Sequence, residues 1–327
     1  MNVLVCGGAG YIGSNMVALL ADQGHTPVVY DNLSKGHKAA LGQARFVQGD
    51  LADCDLLVKT LRDHQIEAVM HFAAFIEVGE SVQEPLRYYH NNLCNTHTVL
   101  SAMDTVGVRK FVFSSTAATY GMPSKVPITE SQTKQPINPY GETKWAVERM
   151  LHWQAQTGKL NYAALRYFNA CGAGKNSTLG EDHRPESHLI PLIIQAAMGK
   201  REDIKIFGTD YDTPDGTCIR DYIHIEDLCH AHLLALGKLG DETALAFNLG
   251  NGNGYSVRQV IDTVKDVSGR DFKVTDMPRR AGDPAVLTAD PTRANAELDW
   301  QTTYTDLKTI VETAWKFHNR LPNGYPD

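Results

Sequence analysis

The chain has 327 residues, of which 43% are hydrophobic and 21% charged, and a formal net charge of −7. This composition predicts a soluble globular enzyme of one large or two moderate domains. The acidic balance and the lack of a strongly basic segment argue against broad nucleic-acid or acidic-membrane binding, and no apolar run reaches the length of a membrane span.

Val3-Leu4-Val5 opens the chain as a short apolar run, and glycines follow at 7, 8, 10 and 13. Gly8, Gly10 and Gly13 spell G-x-G-x-x-G, while Gly7, Gly10 and Gly13 spell a looser version. Apolar residues resume at helical spacing at Ile12, Met16, Leu19 and Leu20. Strand, glycine turn and helix in that order predict a loop that lets a pyrophosphate approach the backbone at a helix N-terminus. A chain that enters a strand this early is expected to carry no signal peptide. Val28-Val29-Tyr30 predicts the next strand, ending in Asp31, about 20 residues past the loop. An acid there can accept hydrogen bonds from an adenosine ribose and repel a 2′-phosphate. That favours NAD over NADP, with Lys35 close enough to soften the preference.

Strands and helices then alternate as in a parallel sheet with crossover helices. Strands are predicted over 45–51, 68–74 and 110–113, the last running into Ser114-Ser115-Thr116. A long helix is predicted from Leu86 to Met103. The loop 123–139 is rich in proline, serine and threonine and suits a lid or substrate edge. A helix from Tyr140 to about Gln156 and a strand from Tyr162 to Tyr167 follow. The polar, glycine-rich 169–186 reads as the crossing into a second lobe. Beyond it come a helix (189–198), a strand (204–207), a strand (220–225) returning towards the first lobe, and helices at 257–267 and 307–317. The expected division is a Rossmann domain over 1–170, rejoined at about 219–250, and a substrate lobe over 171–218 and 251–327. The six cysteines, at 6, 54, 94, 171, 218 and 229, lack C-x-x-C pairing and suit reduced thiols in a cytosolic protein. His224, His230 and His232 lack a metal-ligand spacing, so packing or surface roles and no metal site are expected.

Tyr140 and Lys144 lie four apart at the start of a helix and hence on one face. A phenol near pKa 10 is a poor base at neutral pH, and lowering it by about 3 units takes roughly 4 kcal/mol. A lysine cation about 4 Å away at an effective dielectric near 20 supplies roughly that, and a positive nicotinamide would add to it. Thr116 can hydrogen-bond a substrate oxygen beside the phenol. Together these groups suit hydride chemistry on an alcohol.

The residues that carry this reading are Gly7 to Gly13, Asp31 to Ser34, His71 to Ala74, Tyr140, Lys144 and Arg166 to Asn169. With these, the chain resembles the extended short-chain dehydrogenase/reductases over nearly its whole length. Ser187 to Pro191, Gly216 to Tyr222 and Arg279 to Asp283 resemble the nucleotide-sugar epimerase branch. The resemblance implies an α/β fold with a Rossmann-type doubly wound parallel sheet and a smaller mixed α/β C-terminal lobe. It implies an NAD-dependent isomerase that inverts C4 of a UDP-hexose through a transient 4-keto sugar. By the same resemblance Gly7, Gly10, Tyr11, Ile12 and Gly13 line the pyrophosphate, and Asp31, Asn32 and Ser34 the ribose. Asp50 and Leu51 hold adenine, and Phe72, Ala73, Asn91, Lys144 and Phe168 the rest of NAD. Thr116 and Tyr140 touch the sugar. Asn169, His188, Leu189, Lys205, Phe207, Arg220, Arg280 and Asp283 hold the UDP part. Unaided by the resemblance, Arg220 and Arg280 can neutralise a diphosphate, and Phe207 can pack against uracil.

Two departures stand out. Thr116 replaces a common serine and keeps the hydroxyl. Leu287 stands where some members carry tyrosine, leaving room for a 2-acetamido group. UDP-N-acetylglucosamine, a UDP-pentose or a UDP-uronate is therefore an alternative substrate. A non-catalytic NAD sensor would not need Tyr140 and Lys144 together, and Ala117-Ala118 replace the acid pair expected of a dehydratase. The resemblance further implies a cytoplasmic homodimer of galactose metabolism, paired through the helices at about 86–103 and 140–156.

Overall fold

The computed structural model describes residues 1–240, 243–280 and 282–326. Its main sheet has seven strands. Six come in chain order: β1 (Asn2–Cys6), β2 (Thr26–Asp31), β3 (Arg45–Gln48), β4 (Ala68–His71), β5 (Lys110–Thr116) and β6 (Asn161–Tyr167). Three strands of the smaller lobe intervene, β7 (Asn169–Cys171), β8 (Asp203–Phe207) and β9 (Ile219–His224), before the seventh, β10 (Ala244–Leu249), returns to the main sheet. The sheet order is β10-β6-β5-β4-β1-β2-β3, with every pairing parallel. This is the doubly wound order, and its direction reverses between β1 and β4. The glycine loop leaves β1 at that reversal.

Residues alternate along β1 because both faces of the sheet are covered. Val3 and Val5 join one core with the helices Tyr11–Asp22 and Ile225–Lys238. Leu4 and Cys6 join the other core with Leu57, Leu61, Val99 and Val147 from helices on the opposite side. The near-continuous apolar strands follow from this two-sided burial.

The smaller lobe adds β11 (Gly254–Ser256), β12 (Lys273–Met277) and β13 (Val286–Leu287). β9 is the centre of a four-stranded sheet, pairing with β7, β11 and β13, while β8 pairs with β12. A third core gathers Ile190, Ile193, Ile194, Val260, Val264 and Ile310. The strand expected at 220–225 therefore forms but stays in this lobe. The return is made by the helix Ile225–Lys238 and by β10, whose partner is β6.

The helix expected from Leu86 to Met103 is interrupted. A turn of helix at Pro85–Tyr88 widens into a π-helical stretch at Tyr89–Cys94 before Asn95–Val106 continues. The widened turn carries Asn92, whose side chain accepts from the Phe75 amide at 2.8 Å and donates to the Phe75 carbonyl at 3.0 Å. Those bonds fix the segment that leaves β4, and π turns often mark such functional positions.

Candidate active site

One cavity of about 930 Å³ runs from the glycine loop, across the ends of β1, β4 and β5, to the smaller lobe. At its centre stands Tyr140. Asn138 caps the helix Pro139–Gln156 by accepting from the Gly141 amide at 2.9 Å, with Pro139 in the first turn. Tyr140, Lys144 and Glu148 then fall on one helical face, all of them buried. The end of β5 meets them residue by residue. Ser114 accepts from Lys144 Nζ through its carbonyl at 2.8 Å, and Ser115 Oγ donates to Glu148 at 2.5 Å. Thr116, at the end of β5, lines the cavity together with Tyr140 and acts to lower the phenol.

Burial dominates the electrostatics. It raises the Tyr140 phenol above its ordinary value, and the Thr116 hydroxyl opposes that. Burial also pulls Lys144 down to about 7, with the Glu148 charge working the other way. The expectation that the Lys144 charge alone lowers the phenol is thus not met by the chain's own groups. A lysine stripped of water and held on a carbonyl gives up part of its own charge. The further positive group named from the sequence is the nicotinamide ring.

The residues expected at a cofactor line the cavity in order. The helix Tyr11–Asp22 starts at Gly10 with no side-chain cap, so its first amides are open to a ligand. A Cβ on Gly13 would lie 2.1 Å from the Gly7 carbonyl oxygen, whereas one on Gly10 would meet only that oxygen, at 3.4 Å. Gly13 is therefore needed by the turn, and Gly10 leaves clear the space above it. Asp31 ties the loop to β2, accepting from the Ala9 amide at 3.0 Å and the Leu33 amide at 2.8 Å. Each of its oxygens keeps a lone pair for a ribose hydroxyl. Asn32, Ser34, Asp50, Leu51, Phe72, Ala73, Asn91 and Phe168 also line the cavity. The residues present fit a dinucleotide. Lys144 sits behind the wall rather than in it.

Of the residues expected to hold UDP, Asn169, His188, Leu189, Arg220, Arg280 and Asp283 reach the cavity. Arg220 is pinned, donating to Asp283 at 2.6 Å and to the Pro284 carbonyl at 2.9 Å. Phe207 lies beneath Arg280, whose guanidinium is 3.8 Å from the ring centre, and is not part of the cavity wall. Lys205 does not line the cavity: alternation along β8 buries Ile204 and Ile206 and leaves Lys205 exposed. Ala281, within the Arg279-to-Asp283 motif, lies outside the described residues.

A family model for the NAD dependent epimerase/dehydratase family matches residues 3–250. The chain belongs to that family. It is 52% identical, over 99% of its length and 98% of the relative's, to the UDP-glucose 4-epimerase of Halalkalibacterium halodurans. Its fold superposes with a TM-score of 0.94 on UDP-glucose 4-epimerase from Brucella ovis in complex with NAD, at 49% identity over 97% of this chain and 98% of that one. The UDP-Glc/GlcNAc 4-epimerase of Campylobacter jejuni gives 0.86, at 43% identity over 98% and 99% of the two chains.

Other contacts of this family member were not read from the sequence. Arg166 and Glu148 form a buried ion pair, 2.5 Å from Nη2 to Oε2, and Arg166 also donates to Tyr120 at 2.9 Å. The helical register of 140, 144 and 148 could have revealed Glu148. The Asp221 carboxylate gathers the amides of Asn251, Gly252 and Ala289, and burial raises it to about 6. Glu77 accepts from Ser187 Oγ at 2.7 Å and so links the two lobes across the cavity. The histidines at 224, 230 and 232 do not converge. His224 stacks on Tyr304, His232 is buried with Nδ1 on the Leu228 carbonyl, and His230 is exposed. Among the described residues, Glu181, His183, Glu186 and His188 do converge. No helix among them is long and apolar enough to cross a membrane.

Proposed function

We propose that the chain catalyses the NAD-dependent interconversion of UDP-glucose and UDP-galactose by inverting C4. The observation that carries this is the single cavity that holds Tyr140 and Thr116 between the glycine loop on one side and Arg220 and Arg280 on the other. The similarity to the UDP-glucose 4-epimerases of Halalkalibacterium halodurans and Brucella ovis supports it. NAD, when bound, supplies a reversible hydride acceptor and donor at C4. The Tyr140 oxygen takes the proton of the sugar 4-hydroxyl and later returns it. The Thr116 hydroxyl holds that sugar oxygen beside the phenol. Lys144, fixed on the Ser114 carbonyl, positions the reacting end of the cofactor pocket. Asp31 and the amides of Tyr11, Ile12 and Gly13 hold the dinucleotide. Arg220 and Arg280 hold the diphosphate, so the sugar is tethered at one end and can turn over to present its other face. Protein purified without added cofactor is incubated with UDP-galactose, and the sugar nucleotides are separated. UDP-glucose forms and NAD is recovered on denaturation; absence of both sinks the proposal.

UDP-N-acetylglucosamine is a second substrate in this reading. Leu287 lines the cavity with a short aliphatic side chain, and the Campylobacter jejuni relative is named for both sugars. Failure to epimerise that sugar, while UDP-galactose turns over, dismisses it. A homodimer accords with the exposed Trp153 of the helix Pro139–Gln156 and the exposed Leu86. Light scattering that gives a monomer at micromolar concentration rejects it. Six free cysteines fit a reducing, cytoplasmic setting, and cell fractionation that finds the protein outside the cytoplasm rejects it.

A further inference from the structure

We propose that Glu181, His183, Glu186 and His188 form a binding site for a divalent transition-metal ion of the zinc class. The four come from one stretch that doubles back before the helix Leu189–Ala197, and their donor atoms all lie within 4.8 Å of one another. From Glu181 Oε1, His188 Nδ1 is 2.5 Å away and His183 Nδ1 3.2 Å. From Glu186 Oε1 the same two nitrogens are 3.8 and 3.7 Å away. Tetrahedral zinc, with bonds of about 2.0–2.1 Å, spaces its donors roughly 3.4 Å apart. The observed separations straddle that value. The shortest involves His188, whose side chain is 45% exposed and free to shift outwards.

The surroundings favour an ion over a chance meeting of side chains. Both carboxylates are buried, with 5% and 4% of their side chains exposed, and buried carboxylates need a counter-charge. His183 Nδ1 is buried between two carboxylate oxygens yet makes no aligned hydrogen bond. The Glu186 carboxylate is oriented by the amides of Ser187 at 2.8 Å and His188 at 2.9 Å, both bound to Oε1, as ligating carboxylates are in metal sites. Two imidazoles and two carboxylates suit zinc and its neighbours, whereas magnesium and calcium prefer all-oxygen cages. Glu181, His183 and His188 also line the cavity, which gives an ion a way in.

The test uses the NAD-loaded protein stripped of metal by a chelator and titrated with Co²⁺. One equivalent should produce the visible bands of a four-coordinate cobalt ion, and one equivalent of Zn²⁺ should remove them. His183→Ala, with folding checked by its melting curve, loses that equivalent. Glu186→Gln weakens it at least about tenfold. His230→Asn, at an exposed histidine, keeps it. Absence of the bands in the unmutated protein overturns the site. So does an equivalent that survives both His183→Ala and Glu186→Gln in folded protein, which leaves two glutamate–histidine ion pairs.

Discussion

Arg166 grips Glu148 beneath the helix that carries Tyr140, with Nε 2.9 Å from Oε1 and Nη2 2.5 Å from Oε2, out of reach of solvent. The pair joins β6 to the helix Pro139–Gln156, and Ser115 adds a third contact from β5. Removing one partner strands the other charge in the interior. Glu148→Met and Arg166→Met are each expected to cost about 3–5 kcal/mol in urea unfolding. The double variant should cost clearly less than the sum of the two, since nothing is then left unpaired. Equal and additive losses would show that the pair is not coupled.

Tyr140→Phe keeps the ring and loses the proton acceptor. With UDP-galactose, kcat should fall at least about 100-fold, with bound NAD and the melting temperature little changed. Near-normal turnover removes Tyr140 from the role of base.

Lys144 gives the stability a pH dependence of known sign. Its folded value is about 7 against an ordinary 10.5. Between these limits the unfolded chain binds a proton that the folded chain does not, so this group makes stability rise with pH. The contribution cannot exceed about 1.4 kcal/mol per pH unit. Near pH 9 the buried thiols of Cys6 and Cys229, which burial raises, begin to act in the opposite sense. His183, whose imidazole the Glu181 and Glu186 carboxylates raise to about 10 against the effect of burial, also acts in the opposite sense across this range. Urea unfolding between pH 7 and 8.5 should therefore show a less positive slope in Lys144→Met than in the parent. Identical slopes would contradict the assignment.

The two glycines of the loop should fail differently. Gly13→Ala drives a Cβ into the Gly7 carbonyl and should lower both stability and NAD content. Gly10→Ala meets nothing closer than 3.4 Å, so it should fold normally and still lose NAD. Measuring NAD released on denaturation alongside the melting curve separates them. Full NAD content in folded Gly10→Ala would mean that no phosphate lies over that position.

Leu287→Tyr narrows the cavity from β13. Turnover of UDP-N-acetylglucosamine should drop at least tenfold more than that of UDP-galactose, a discrimination of about 1.4 kcal/mol. Equal losses would place the acetamido group elsewhere.

Much of this was legible in the chain because local signals carry it. The glycine spacing, the Asp31 that ends β2, and Asn138-Pro139 ahead of Tyr140 each specify their own geometry. The exposure of Lys205 was not legible because it depends on which face of β8 the smaller lobe covers, and β8 pairs only with the distant strand β12. Glu148 with Arg166, and Asp221 with its three amides, depend on segments that meet only in the folded chain. Glu181, Glu186 and His183 sat in a stretch read as a polar crossing, and their convergence comes from its doubling back. The strand β10 escaped because ALAFNL offers little alternation and pairs with a strand far upstream.

That distant pairing bears on how the protein comes off the ribosome. The chain leaves the main sheet at Tyr167 and does not rejoin it until Ala244. Until about three-quarters of the polypeptide has emerged, β6 has an open edge, and the core behind it lacks Phe247 and Leu249. A nascent chain stalled before that point carries an exposed strand edge of the kind that invites mispairing. A truncated product ending in the smaller lobe would thus be a target for chaperones rather than a working half-enzyme.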